Sequence, residues 1–334
     1  MAAATMTPPP HAPAFLARHG WGGARIAPLA GDASFRRYFR VHGAGGATAV
    51  LMDAPAPHED PQRFLSVAAH LRRVGLSAPE MLAAEPEAGL VLLEDFGDAR
   101  LAPVLEAAPE REAMLYDVAV DALAHLQRHR PPPDVAAYGL AEYRREVDLF
   151  IEWWAPAAGL SIDLAGWAAA WEAALAPLLE QPHDVLALRD FHADNLMVLD
   201  GRSGVRALGL LDFQDALLGH PAYDLVSLLQ DARRDVSAAV EARGIGRFAA
   251  ATGARPEALR AAYELLGAQR NLKIIGIFTR LWRRDGKPGY LGLLPRVWAH
   301  VERNLSHWST APVARWMAEN VPAERRLPNL RAAA

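Results

Sequence analysis

The stretch LALRDFHADNLMVLD, Leu186–Asp200, gathers Arg189, Asp190, His192, Asp194 and Asn195 into one short loop between two apolar runs. A third apolar run lies a few residues on, so Val185–Leu188, Leu196–Leu199 and Ala207–Leu211 interrupt a region otherwise patterned as long helices. Runs this short, bounded by polar clusters, read as strands rather than helices. They predict a small β platform inside a helical lobe. The polar loop would join its first two strands, and the third, ALGLLDFQD, would end in Asp212.

The spacing inside this platform is specific. Asn195 follows Asp190 by five residues, and Asp212 follows Asn195 by seventeen. Phosphoryl transfer needs one carboxylate to orient the acceptor hydroxyl and take its proton. It also needs an amide oxygen and a second carboxylate to hold Mg²⁺ against nucleotide phosphates. Hard oxygen donors in small number suit Mg²⁺, which keeps several waters. A lone loop Asp would ordinarily make a turn bond, but three such groups at this spacing favour chemistry. His192 and Asp194 read either as a metal pair or as loop-shaping groups; no further His/Asp cluster completes a ligand set, which favours the second reading.

The rest of the chain frames the loop. Residues 24–53 carry strand patterns, with FRRYFRVH at Phe35–His42, a turn at Gly43–Gly46 and ATAVLMD at Ala47–Asp53. Leu29–Ser34 reads as a tight turn. Gln62–Leu76 has helical periodicity, with Phe64, Val67, Ala68 and Leu71 on one face. Gly89–Asp98 is an apolar strand ending in acidic residues. From about residue 99 helices dominate. The expected class is α+β: residues 1–12 a disordered Ala/Pro tail, 13–96 a small β-rich lobe binding nucleotide, and 97–326 a larger helical lobe carrying the catalytic loop and the acceptor site.

Composition narrows the function. A net charge of −4 argues against a nucleic-acid footprint. The absence of cysteine excludes disulfides, thiolate zinc sites and cysteine nucleophiles, and fits a cytoplasmic protein. No apolar run reaches the roughly 18 residues a membrane helix needs, and the N-terminus lacks a signal-peptide pattern.

LRDFHADNL, LLDFQDALLGHPAYDLVSLLQDAR and the N-terminal strands together resemble the aminoglycoside phosphotransferase family, small-molecule kinases of protein-kinase-like fold. The resemblance covers roughly residues 14–325. That family's loop usually reads His-Gly-Asp where this chain has Leu188, Arg189 and Asp190. A narrower resemblance rests on GDASFRRYFRV, LMDAP, DLFIEWW and AQRNLKIIGIFTRLWRRDGKPGYL, which look like the N-acetylmuramate/N-acetylglucosamine anomeric kinases of bacterial cell-wall recycling. It implies ATP and Mg²⁺ as cofactors, an amino sugar as acceptor and a sugar 1-phosphate as product; a monomer is expected.

Kinases commonly place a lysine on the third N-terminal strand against the α- and β-phosphates. This chain has only two lysines, Lys273 and Lys287, so another cation must serve. Arg36, Arg37 and Arg40 are the candidates, since arginine grips phosphate bidentately. Alternation puts Arg36 and Arg40 on one strand face and Arg37 on the other. There is no G-x-G-x-x-G; the turn containing Gly31 and Ser34 would offer backbone N–H groups and a hydroxyl instead. Glu94 and Phe96, at the crossing between lobes, complete the expected nucleotide set.

For the acceptor, Glu152 and Trp153 offer a carboxylate and a stacking face, though Trp beside Leu149 and Phe150 is as often core. Asp215 is placed to reach hydroxyls, and Asp224 to brace the catalytic loop from a helix start. Arg270, Lys273, Ile277 and Arg280 share one helical stripe. Such a stripe is usually solvated; here Arg270 or Arg280 would meet the carboxylate that N-acetylmuramate carries. The competing readings are a kinase of an aminoglycoside, choline or another amino alcohol, and a nucleotide-binding pseudokinase.

Overall fold

The structure, a computed structural model, describes residues 6–29, 36–57, 59–180 and 185–326. The expected turn residues Gly31 and Ser34 lie outside them. The chain forms two compact units: residues 1–104 with 194–215, and residues 105–193 with 216–334.

The first unit begins with α1 (Ala12–Arg18). Ala12 is fully buried, and Met6 packs on the core beneath it, so the Ala/Pro segment is anchored from residue 6 and is not a free tail up to residue 12. Strands β1 (Arg25–Pro28), β2 (Arg37–His42), β3 (Thr48–Asp53), β4 (Met81–Glu85) and β5 (Leu90–Glu94) form one antiparallel sheet in the order β1-β2-β3-β5-β4. One face is buried by period-2 alternation: Phe39 and Val41, Ala49 and Leu51, Leu90 and Leu92 cluster with Phe15 and Leu16 of α1. The alternate residues Met52, Val91 and Leu93 are buried too, so the sheet is covered on both faces. Helix α2 (Pro61–Arg73) starts at an Asp60 cap, whose carboxylate accepts from Gln62 N at 2.9 Å. It buries the expected Phe64, Val67, Ala68 and Leu71. Helix α3 (Leu101–Ala107) carries the chain out of this unit.

In the second unit come α4 (Glu112–Leu126) and α5 (Leu140–Leu149). A π turn at Phe150–Trp154 follows, then α6 (Ala155–Ala157) and α7 (Leu164–Leu179). Strand β6 (Val185–Ala187) precedes the polar loop. The chain then returns to the first unit for β7 (Leu196–Val198) and β8 (Leu208–Leu210). Strand β9 (Leu217–Gly219), α8 (Ala222–Leu229), α9 (Ala238–Thr252), α10 (Pro256–Arg283), α11 (Leu294–Leu305) and α12 (Ala311–Asn320) complete the second unit. No helix among the described residues is long and apolar enough to cross a membrane.

The expected single platform is in fact two ribbons: β6 pairs with β9, and β7 with β8, each antiparallel. The β7–β8 ribbon is stitched to the first unit rather than to its flanking helices. Leu210 N donates to Ser77 O at 2.7 Å, Ser77 Oγ to Arg206 O at 2.8 Å, and Val198 N to Ala99 O at 2.7 Å. Gly209 leaves room for the Phe96 ring, since a Cβ there would lie 2.6 Å from it.

Candidate active site

In the first unit, ladder register accounts for the Asn195–Asp212 spacing. Leu196 pairs with Leu210, so Asn195 and Leu211 emerge at the same end of the ribbon, where Leu211 N donates to Asn195 O at 3.0 Å. Asp212 lies two residues past the strand end, not on it as expected. Its φ of +56° is left-handed. Phe213, 1% exposed, stacks on Phe64 of α2 with ring centroids 5.0 Å apart and holds this turn in place. Asp212 Oδ1 accepts from Gln214 Nε2 at 2.9 Å and from Arg36 Nη2 at 3.3 Å. Gln214 Nε2 also reaches Asp215 Oδ2 at 3.2 Å, and Asp215 is exposed.

The three arginines part company here. Arg36, 9% exposed, lies between Asp212 and Glu59, with Nε 3.7 Å from Glu59 Oε2. Arg37 pairs with Asp53, its cross-strand partner and a buried carboxylate. Arg40 is tied to Asp95 at 2.8 Å and Asp98 at 2.9 Å. The face carrying Arg36 also carries Tyr38, whose hydroxyl burial pushes up to about 12, with Arg36, Asp212 and Glu59 around it. Glu94 is engaged by Arg202 and, at 3.8 Å, by Arg72, and Arg202 lies 5.3 Å above the Phe96 ring. The donor set at this ribbon end is a carboxylate and an amide, hard oxygens that fit Mg²⁺ when phosphate and water supply the remaining ligands. No group of three or more His, Cys, Asp or Glu side chains that would hold a metal unaided occurs among the described residues.

In the second unit, Asp190 follows β6 and the left-handed Arg189, φ +73°. Arg189 and Asp212 are the two non-glycine residues with positive φ among the described residues. Asp224, in the first turn of α8, accepts from Leu188 N and Arg189 N at 2.7 Å each, the bracing role expected of it. Its burial pushes the carboxyl up to about 7 against those two N–H groups. Asp190 is held below the ordinary carboxylate range: burial would raise it, but Lys273, His192, Arg270 and Arg189 prevail. Buried His192 is pushed down by desolvation, and the adjacent Ala193 N donates to Asp231 at 3.2 Å.

The supposed solvated stripe of α10 is interior. Arg270 is 4% exposed, with Nη1 lacking a hydrogen-bond partner. Lys273 Nζ pairs with Glu146 Oε1 at 3.0 Å. The middle of α10 is largely buried because it packs on α5, α8, α11 and the π turn, so Arg270 and Lys273 are shielded from water, whereas Arg260 and Arg283 near its ends are exposed. Arg280 is half-buried and held below its usual range by burial and Arg284, with the exposed Glu152 opposing. Trp154 is core, stacked on Phe150 at 4.7 Å, whereas Trp153 is half-buried. Sequence reasoning missed Glu146, 44 residues before Asp190, and placed Lys273, 83 after it, in the α10 stripe without linking it to the catalytic loop.

Comparison with known proteins fits this arrangement. The Phosphotransferase enzyme family model matches residues 25–266. An N-acetylmuramate/N-acetylglucosamine kinase of Caulobacter vibrioides is 39% identical, over 94% of this chain and 96% of its own. One of the same name from Pseudomonas aeruginosa is 38% identical over 87% of each chain. Among solved structures, the gentamicin complex of APH(2'')-IIa superposes with a TM-score of 0.60 at 15% identity, covering 87% of this chain and 96% of that one. A microcompartment-associated aminopropanol kinase gives 0.58 at 18%, covering 85% and 93%. These likenesses confirm the α+β, protein-kinase-like fold. Matched along most of its length by the family model and by relatives sharing more than a third of its residues, the chain belongs to the phosphotransferase enzyme family.

Proposed function

We propose that this enzyme transfers the γ-phosphoryl group of ATP to the anomeric hydroxyl of N-acetylmuramate and N-acetylglucosamine, giving the sugar 1-phosphate in cell-wall recycling. The observation that carries the reading is the 39% identity to the Caulobacter vibrioides kinase across 94% of the chain, which takes in both units. The first unit would hold the nucleotide, with Arg36 as the phosphate cation that stands in for a strand lysine, and the Gly31–Ser34 turn, Glu94 and Phe96 around it. Arg36 lies 3.3 Å from Asp212, the proposed Mg²⁺ ligand, whereas Arg37 pairs with Asp53 and Arg40 with Asp95 and Asp98, which favours Arg36. Asn195 and Asp212 would hold Mg²⁺, which supplies neutralising charge to the phosphates when bound.

The second unit would hold the sugar, with Glu152, Trp153, Arg270 and Arg280 as its contacts; Asp215 is a further proposed partner of a sugar hydroxyl. Asp190 accepts a hydrogen bond from the anomeric hydroxyl and aims its oxygen at the γ-phosphorus. The new bond joins that oxygen to phosphorus, the bond from phosphorus to the β–γ bridging oxygen breaks, and the hydroxyl proton passes to Asp190. An anomeric hydroxyl is more acidic than an ordinary alcohol, so a carboxylate held ionised by its neighbours suffices as acceptor.

ADP release with ATP and Mg²⁺ over a panel of N-acetylmuramate, N-acetylglucosamine, glucose, kanamycin and choline tests the proposal. Turnover of the two N-acetylated sugars is expected. Turnover confined to kanamycin or choline would replace the acceptor, and nucleotide binding without turnover would make the protein a pseudokinase.

A further inference from the structure

Arg189 immediately precedes Asp190, and its left-handed backbone is a conformation that glycine adopts freely and a side-chain-bearing residue does not. Such strain persists only where the surroundings over-determine it. Here both its backbone and its guanidinium are gripped. Its N–H donates to Asp224 Oδ1 at 2.7 Å, and its carbonyl accepts from Ser227 Oγ at 3.3 Å. Its guanidinium pairs with Glu146 and lies 5.6 Å above the Tyr138 ring. Glu146, 4% exposed, is itself held by Lys273 Nζ at 3.0 Å, by Gln269 Nε2 at 3.4 Å and by the Tyr138 hydroxyl. Lys273 Nζ also lies 3.4 Å from the Tyr223 hydroxyl.

We infer that Glu146 and Lys273 are positioning residues: the buried chain Lys273–Glu146–Arg189 clamps the left-handed turn and thereby aims the Asp190 carboxylate. A buried chain of charges is a poor source of stability compared with apolar side chains of the same volume. Its presence beneath the loop is therefore accounted for by the geometry it imposes. The guanidinium is 16% exposed and turned onto Glu146, so, beyond the charge it places near Asp190, its positioning part is exerted through the backbone.

The inference rests on Asp190 being the hydroxyl acceptor, and the experiment separates the two. Steady-state kinetics would be measured for the parent enzyme, Asp190→Asn, Arg189→Gly, Arg189→Ala, Glu146→Gln and the double variant Arg189→Gly/Glu146→Gln. A misplacement of about 1 Å costs on the order of 10²-fold in rate. Arg189→Ala and Glu146→Gln are therefore expected to lower kcat by about tenfold to 10²-fold with KM for ATP and sugar nearly constant. Glycine needs no clamp, so Arg189→Gly is expected to exceed Arg189→Ala in kcat by about tenfold, and the double variant to regain most of what Glu146→Gln loses. Equal kcat for the glycine and alanine variants would overturn the clamp. So would a double variant no faster than Glu146→Gln. If Arg189→Ala does not fold, the Glu146→Gln pair carries the same contrast. Near-parental turnover by Asp190→Asn would instead remove the acceptor assignment itself.

Discussion

Arg36, Arg37 and Arg40 lie within five residues of one another, yet the structure gives them three different sets of carboxylate partners. Arg37 neutralises the buried Asp53 across the strand pair, whereas Arg36 faces Asp212 and Glu59. The expected consequences differ in kind. On the proposed assignment, Arg36→Gln removes charge-assisted phosphate contacts worth about 1.5–3 kcal/mol, so ATP affinity should fall roughly 10- to 100-fold while the urea midpoint falls less than in Arg37→Gln, because Arg36's partner Asp212 is 42% exposed and Arg37's partner Asp53 only 3%. Arg37→Gln strands a buried carboxylate and should lower stability by about 3 kcal/mol or more with ATP affinity of the folded protein unchanged. Nucleotide titration and urea unfolding on both variants check the pair; equal loss of ATP affinity would return Arg37 to the phosphate. Asp212→Ala should abolish the Mg²⁺ dependence of nucleotide binding, read by titration with and without EDTA, and a persisting dependence would move the metal elsewhere. Asp190, Asn195 and Asp212 could be proposed from the sequence because their spacing is local to one loop and one ladder. The sequence left the arginines undecided because alternation assigns faces without saying what each face meets.

At the scale of elements, period-2 and period-3.6 burial made β2, β3, β5 and α2 readable. Strand β4 escaped notice because MLAAE has no β-branched or aromatic residue, and Met81 and Leu82 are exposed. Strand β9 escaped because three residues carry no period, and its pairing with β6 spans some thirty residues of chain. Helix α10 misled in the opposite direction: the Arg270 and Lys273 part of its cation stripe packs against protein and is an interior feature. The crossing of α10 over the π turn depends on Gly276, where a Cβ would sit 2.4 Å from the Leu149 carbonyl. Gly276→Ala should therefore cost about 1–3 kcal/mol through forced backbone shifts. Urea unfolding is the check, and an unchanged midpoint would mean the crossing is looser than the structure has it.

At the scale of the whole molecule, the linear order of the chain conceals that residues 194–215 group with the first unit, because the stitching to Ser77 and Ala99 is long-range. The buried charges also give the molecule a pH signature. Burial raises the Glu146 carboxyl, but Lys273 and Arg189 draw it from 4.5 to about 2, so its stabilisation is complete above pH 4.5 and is lost as pH falls toward 2. Asp224 has the opposite sign: raised from 3.8 to about 7 by burial, it is most favourable to folding below pH 3.8, and that advantage is lost as pH rises through 7. The urea midpoint should accordingly fall between pH 5 and 2, and Glu146→Gln should flatten that limb. A limb of unchanged slope in the variant would contradict the Glu146 assignment.

The central claim is phosphoryl transfer to the anomeric oxygen, and the most direct test is phosphorus NMR of the product formed from N-acetylmuramate, ATP and Mg²⁺. The account expects a phosphate signal coupled to the anomeric proton, formed in step with ADP. A phosphate coupled instead to protons at another ring or side-chain carbon, or ADP formed with no sugar phosphate, would contradict it.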